Sequence, residues 1–242
     1  VAQWFESWFD TEYYHMLYNK RNDEEAEAFI NGLFKELHLH KGMKAADIAC
    51  GKGRHSRVMA KSGMQVYGYD LSKNSIDCAN SLATPGCRFF VHDIRNPYEE
   101  NGFDAAFNLF TSFGYFDTDE EDIIAVKNIY DMLKPGGIFV QDYLNAFSVI
   151  PQFPCKGTEN RENIHFDIQK RLENRHIIKE IEVTDGEKRL NYAEKVKTYS
   201  ETELKDIHRA AGFKILRTAG DYQLHPYESG TSPRLIIISQ KP

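Results

Sequence analysis

Two hydrophobic rhythms alternate along the first 145 or so positions of the chain. Short apolar runs bounded by glycine or an acid give way to stretches where apolar residues return every third or fourth position. The runs over 43–50, 64–69, 88–91, 103–110 and 138–143 predict strands. The stretches over 54–61, 72–82 and 120–133 predict helices, the last one closed by Lys134-Pro135-Gly136-Gly137. Ahead of them, Phe29, Ile30, Leu33, Phe34 and Leu37 keep helical spacing. Asp23 is the expected N-cap and Gly42 the expected stop. Such alternation implies a parallel sheet with helices on both faces, wound right-handed. Ligands in this architecture sit at the carboxyl ends of the strands, where the winding reverses.

The rhythm changes after Phe147. Ile164, Phe166 and Ile168 alternate with polar residues, as do Ile181 and Val183, and later Leu190 and Tyr192. Asp185-Gly186 reads as a hairpin turn between the last two runs. Residues 155–199 are therefore expected to form antiparallel strands with one apolar face. A helix returns at the capping box Ser200-Glu201-Thr202-Glu203 and ends at Gly212, and two more strands follow over 213–217 and 234–239. No internal repeat or low-complexity segment is present.

Composition narrows the class. With 242 residues, 41% hydrophobic and 13% aromatic, the chain suits one α/β domain carrying a small insertion. A net charge of −6 argues against a general binder of nucleic acid. No apolar run is long enough to span a bilayer, and Val1-Ala2-Gln3-Trp4-Phe5-Glu6 lacks the regions of a signal peptide. Cys50, Cys78, Cys87 and Cys155 are scattered without a Cys-x-x-Cys, so neither a metal site nor a disulfide framework is expected, and cytoplasmic thiols are.

The chemistry concentrates at Asp47-Ile48-Ala49-Cys50-Gly51-Lys52-Gly53-Arg54-His55-Ser56. An apolar strand runs into a glycine turn that opens a helix, and Asp70 ends the next strand. Glycine lets backbone approach a ligand closely, the helix start offers free N–H groups, and a carboxylate at Asp70 suits ribose hydroxyls. Asp47 is an acid inside an otherwise apolar strand, which is costly unless a cation or hydrogen bond offsets it.

Together with Asp70-Leu71-Ser72, His92-Asp93-Ile94, Phe103-Asp104 and Leu133-Lys134-Pro135-Gly136-Gly137, these residues give the chain a family resemblance. From about residue 43 to the C-terminus it resembles the class I S-adenosylmethionine-dependent methyltransferases. The resemblance implies a Rossmann-like, doubly wound, seven-stranded, mostly parallel sheet whose last strand is antiparallel, here carrying the antiparallel β insertion over 155–199. It implies a single methyltransferase domain over 1–242 and S-adenosyl-L-methionine as cofactor. Asp47, Ala49, Gly51 and Gly53 would then meet the methionine end, Asp70 and Leu71 the ribose, and Asp93 and Ile94 the adenine. Asn108 and Phe110 would lie at the exit of the fourth strand, near the transferred methyl.

The N-terminal 1–42 would form an aromatic lid and a helix, Tyr18 and Arg21 closing over the methionine end. The alternative is an aromatic segment packed as an amphipathic helix. Tyr115, Asp117, Asn145 and His225 are the candidates for handling the acceptor's proton, with Tyr115 and His225 foremost. The lid, the insertion and the aromatic loop 110–116 suit a small-molecule acceptor methylated on N or O, with no membrane partner and room for a homodimer. A protein or RNA acceptor and a non-catalytic cofactor-binding module are the alternatives. An NAD-dependent oxidoreductase fits less well: Ser56 replaces the third glycine, and Asp47 puts a charge into the first strand.

Overall fold

A computed structural model describes residues 3–18 and 23–242. The chain divides into two compact units, one formed by Val1–Arg21 with Val149–Thr198 and the other by Asn22–Ser148 with Tyr199–Pro242.

The larger unit follows the expected alternation. In chain order it contains α3 (Asp23–Glu36), β1 (Lys44–Ile48), α4 (Arg54–Lys61), β2 (Gln65–Asp70), α5 (Lys73–Ser81), β3 (Cys87–Val91) and β4 (Phe103–Asn108). Then come α6 (Asp119–Met132), β5 (Leu133–Leu144), the short α7 (Ala146–Val149), α8 (Glu201–Ala211), β10 (Lys214–Ala219) and β11 (Arg234–Gln240). The sheet order is β10-β11-β5-β4-β1-β2-β3. β1, β2, β3, β4 and β5 pair in parallel, and β11 is antiparallel to both of its neighbours. β1 lies between β4 and β2, so the winding reverses there and opens a crevice at the carboxyl ends of β1 and β4.

Strand periodicity sorts the core. Ala45, Val66, Ala105, Phe107, Val140 and Ile236 face Phe29, Ile30 and Leu33 of α3 and Met59 of α4, all buried. On the opposite face a polar chain crosses the core. His208 of α8 bonds Gln141 Oε1 (2.8 Å) and Ser239 Oγ (2.9 Å), and Gln141 donates to Asn108 Oδ1 (3.5 Å). Gln141 Oε1 can only accept, so Nε2 of His208 carries the proton. Burial pushes the imidazole down to about 3, so it is neutral at physiological pH.

Three departures from the expected boundaries have a clear local cause. α3 stops at Glu36 rather than near Gly42, since His38 already takes a left-handed turn (φ 52°). β4 ends at Asn108, because Phe110 and Thr111 are left-handed (φ 60° and 61°) and leave the ladder. Lys134-Pro135-Gly136-Gly137 lies inside β5 rather than before it. The register with β4 shifts there, and the Gly136 N–H reaches Lys241 O at 2.8 Å, a bulge that Gly136 accommodates at φ 80°.

The smaller unit holds α1 (Trp4–Trp8), α2 (Glu12–Leu17) and the antiparallel sheet β6 (Cys155–Arg161), β7 (Ile164–Glu173), β8 (His176–Asp185) and β9 (Lys188–Lys197). The aromatic N-terminal segment supplies its core. Trp8, Tyr13 and Leu17 bury against Ile164, Phe166, Ile181 and Val183, the alternating residues of β7 and β8. Polar atoms of the aromatics are matched: Trp8 Nε1 donates to Glu194 Oε1 (2.8 Å) and Tyr13 OH to Asp185 Oδ2 (2.9 Å).

No helix among the described residues is long and apolar enough to cross a membrane. The four cysteines are free.

Candidate active site

The turn between β1 and α4 is held open by its backbone. Ala49, Gly51 and Gly53 all have positive φ (56°, 55° and 73°). The two glycines differ in what a side chain would meet. At Gly53 a Cβ would stand 2.5 Å from the Phe89 ring, whereas at Gly51 it would meet nothing within 4 Å. Gly53 is thus glycine for packing, and Gly51 leaves an open face beside the turn. Gly53 is also the N-cap of α4 and offers no side-chain cap, so the first N–H groups of the helix stay available.

Two carboxylates flank this turn. Asp70, at the end of β2, accepts the Gly51 N–H on Oδ2 and the Ser72 N–H on Oδ1, each at 2.8 Å. These bonds orient the carboxylate at the crevice, with Leu71 half-buried beside it. Asp47 is 2% exposed and accepts a hydrogen bond from Ser56 Oγ at 2.5 Å. Burial pushes its carboxyl up to about 7, the Ser56 hydroxyl opposing the rise. Its partner is a hydroxyl, and among the described residues no cation pairs with it.

Past β3, Asp93 is clamped by Arg95, whose Nη2 lies 2.6 Å from Oδ2 and whose backbone N–H donates to Oδ1 at 2.9 Å. Burial resists ionisation, but these bonds outweigh it and hold the carboxyl below its ordinary range. Arg95 also reaches Glu121 Oε1 (3.0 Å) and lies over the Phe116 ring. The Ile94 carbonyl accepts from Asn128 Nδ2 (3.1 Å), which ties this loop to α6.

The β4 exit depends on a cluster that sequence reasoning missed. Asp142 of β5 is fully buried, and its Oδ2 accepts the Phe110 N–H at 2.9 Å. Its own carbonyl accepts the Thr111 N–H at 3.0 Å. Arg234 of β11 donates Nε to Asp142 Oδ1 (2.7 Å) and Nη2 to Thr111 Oγ1 (2.9 Å), and Tyr222 OH donates to Asp142 Oδ2 (3.2 Å). Two consecutive left-handed non-glycine residues are thereby held in place. The Phe110 ring packs under the Arg54 guanidinium at 4.7 Å and beside His55 at 5.3 Å, against the start of α4. The available signal was an acid inside the apolar strand 138–143, the same anomaly that marked Asp47.

The remaining expected residues fall in different settings. Asn108 is buried and donates Nδ2 to Ile48 O (3.2 Å) and Ser112 O (3.0 Å), tying the exits of β1 and β4 together. Tyr115 OH donates to Thr111 O at 2.5 Å. Asp117 is exposed. Asn145 is spent on the loop before β11, donating to Ser229 O (2.8 Å) and Ser232 O (2.7 Å) and accepting from Tyr227 OH (3.1 Å). His225 is exposed and its Nδ1 lies 2.7 Å from Asp221 Oδ2, which helps hold the Asp221 carboxyl below its usual range against burial. Tyr18 belongs to the smaller unit, its OH donating to Glu194 Oε1 at 2.7 Å and accepting from Lys179. Arg21 lies outside the described residues. No group of His, Cys, Asp and Glu among the described residues could hold a metal ion.

The donor set suits an adenosyl sulfonium cofactor. An open glycine face, a buried acid lacking a cation and an oriented carboxylate at a strand end stand at one switch point.

Comparison with known proteins agrees. The family described as "Methyltransferase domain" matches residues 45–137, which run from β1 into β5. "Putative methyltransferase YqeM" of Bacillus subtilis (strain 168) is 26% identical over 219 residues, 85% of this chain and 87% of its own. The dTDP-3-amino-3,4,6-trideoxy-alpha-D-glucopyranose N,N-dimethyltransferase of Streptomyces venezuelae is 25% identical over 195 residues, 79% of this chain and 80% of its own. Among solved structures, an S-adenosylmethionine-dependent methyltransferase from Clostridium acetobutylicum ATCC 824 shares the fold with a TM-score of 0.79. It is 19% identical, covering 94% of this chain and 95% of the other. Residues 45–137 match a methyltransferase domain, and the chain is an S-adenosylmethionine-dependent methyltransferase with S-adenosylmethionine as its cofactor.

Proposed function

We infer that the protein transfers the methyl group to a nitrogen or oxygen of a small-molecule acceptor. The observation that carries this reading is the match to the amino-sugar N,N-dimethyltransferase of Streptomyces venezuelae, which spans 79% of the chain and so extends beyond the cofactor-binding segment. The net charge of −6 speaks against an RNA acceptor, and the free cysteines suit a reducing cytoplasm.

The cofactor supplies an electrophilic methyl carbon: the acceptor–carbon bond forms as the carbon–sulfur bond breaks, leaving S-adenosylhomocysteine. The protein's own residues then have to bind, align and exclude water. Gly51 and Gly53, with Ala49, bring backbone against the methionine end. Asp47 offers its carboxylate to the ammonium group, which stabilises the ionised form that burial alone disfavours. Asp70 and Leu71 receive the ribose, Asp93 and Ile94 the adenine edge. Phe110 lines the reacting end, and Asn108 holds the strand exits that shape it.

A base is required only when the acceptor arrives protonated. His225 is the stronger choice, because Asp221 orients Nδ1 and leaves Nε2 facing outward from an exposed ring. Tyr115 already donates to a backbone carbonyl and suits a positioning part.

Labelled S-adenosylmethionine incubated with panels of small amines and alcohols, and in parallel with protein and RNA, tests the reading. Label should transfer to a small amine or alcohol, with kcat reduced about a hundredfold in His225→Gln if the acceptor is protonated. Transfer only to protein or RNA would overturn it.

A further inference from the structure

The face of β7 and β8 that carries the apolar core changes character along its length. Phe166 stands opposite Val183 and Ile168 opposite Ile181, both apolar pairs, but the next pair on that face is Lys170 opposite Lys179. Like charges directly opposite one another destabilise an antiparallel ladder.

Lys179 is compensated. Its Nζ lies 3.7 Å from Glu194 Oε2, bonds the Tyr18 hydroxyl and sits over the Tyr18 ring at 4.5 Å. Glu194 is shared further, accepting from Trp8 Nε1 and from Tyr18 OH. Lys170 is half-buried and forms no ion pair among the described residues. Its other cross-strand neighbour is Cys155, and the next residue of β6 on that face is Gly157, where a Cβ would meet nothing within 4 Å. Glu159, the nearest acid on β6, is paired with Arg161 at 2.6 Å. Lys156, Lys170 and Lys179, with Tyr18, Gly157 and Glu159, line a half-open cleft of about 390 Å³ within the smaller unit. A cleft of this size fits a small ligand. Glu194 answers Lys179 and Arg161 answers Glu159, so among the described residues Lys170 is the half-buried ammonium group of this cleft left without a counter-charge.

We propose that this cleft binds the phosphate of a small phosphorylated molecule, with Lys170 and Lys179 sharing the anion. Lysine binds phosphate as a point charge, and an anion in the cleft supplies Lys170 with a counter-charge while Lys179 stands directly opposite to reach the same group. The inference stands apart from the acceptor reading, since it assigns a ligand to the cleft and no step of methyl transfer to it.

Calorimetric titration of the full chain with inorganic pyrophosphate and with a nucleoside diphosphate, at low and high salt, tests it. The parent chain should bind both, more weakly as salt rises, and Lys170→Met should lose at least tenfold in affinity. Ligand-free Lys170→Met should melt no lower than the parent, because the like-charge pair is gone, and should no longer gain melting temperature on adding pyrophosphate. Its affinity for S-adenosylhomocysteine should be unchanged. Absence of binding to the parent chain, equal binding to the variant or a lower ligand-free melting temperature would overturn the proposal. So would a parallel loss of S-adenosylhomocysteine affinity, which would make the cofactor carboxylate the anion.

Discussion

Ser56 Oγ donates to the buried Asp47 Oδ2 at 2.5 Å, the short polar link between β1 and the start of α4. It is a hydroxyl where a charged partner would be worth more, and burial accordingly lifts the carboxyl from 3.8 to about 7. The unfolded chain releases this proton near 3.8 and the folded chain only near 7, so the folded state holds more protons between them. Ligand-free stability should therefore fall as pH rises from about 4 to about 7 and level off above, by an amount on the order of 4 kcal/mol. Asp47→Asn should flatten that part of the curve in urea unfolding and raise ligand-free stability at pH 8, while weakening S-adenosylhomocysteine binding.

Gly51 and Gly53 should respond differently to alanine. Gly53→Ala meets the Phe89 ring at 2.5 Å as well as a positive φ, and should cost about 2–4 kcal/mol of stability. Gly51→Ala enters open space and carries only the left-handed strain, about 1 kcal/mol, yet it fills the face assigned to the cofactor. Thermal unfolding beside cofactor titration should show Gly53→Ala failing mainly in stability and Gly51→Ala mainly in binding.

Asp142 and Arg234 hold Phe110 and Thr111 in a conformation neither residue prefers. Breaking one side of a buried pair strands the other charge, so Asp142→Asn and Arg234→Met should each cost about 3 kcal/mol or more. The double variant should lose clearly less than the sum, with a coupling of about 1–3 kcal/mol in a double-mutant cycle from urea unfolding. Additive losses would show that the two do not act as one clamp.

Much of the larger unit could be read from the chain. The period-two and period-3.6 patterns located its strands and helices because each element buries one face against another. The place of Asp70 was legible for a similar reason: an acid ending a strand about 20 residues past a glycine turn falls beside the crevice of this architecture. What the pattern could not show is long-range partnership. Asp93 looked like an acceptor, yet its Arg95 clamp is a matter of rotamer. Asn108 looked like a site residue at a strand exit, yet it ties β1 to β4. The Asp142–Arg234 pair joins residues 92 positions apart, which only the β5–β11 pairing brings together. The left-handed Phe110 and Thr111 carry no glycine to announce them. The N-terminal aromatics were recognised as a packed segment or lid, but their burial against β7 and β8 required the antiparallel register.

Asp70, oriented by the Gly51 and Ser72 N–H groups, is the residue proposed to grip the ribose of the adenosyl cofactor. Calorimetric titration of S-adenosylhomocysteine into the parent chain and into Asp70→Ala is the most direct test of that role. The parent should show saturable one-to-one binding, and the variant should lose about 2–3 kcal/mol, thirtyfold or more. A folded Asp70→Ala variant that binds as tightly as the parent would contradict it.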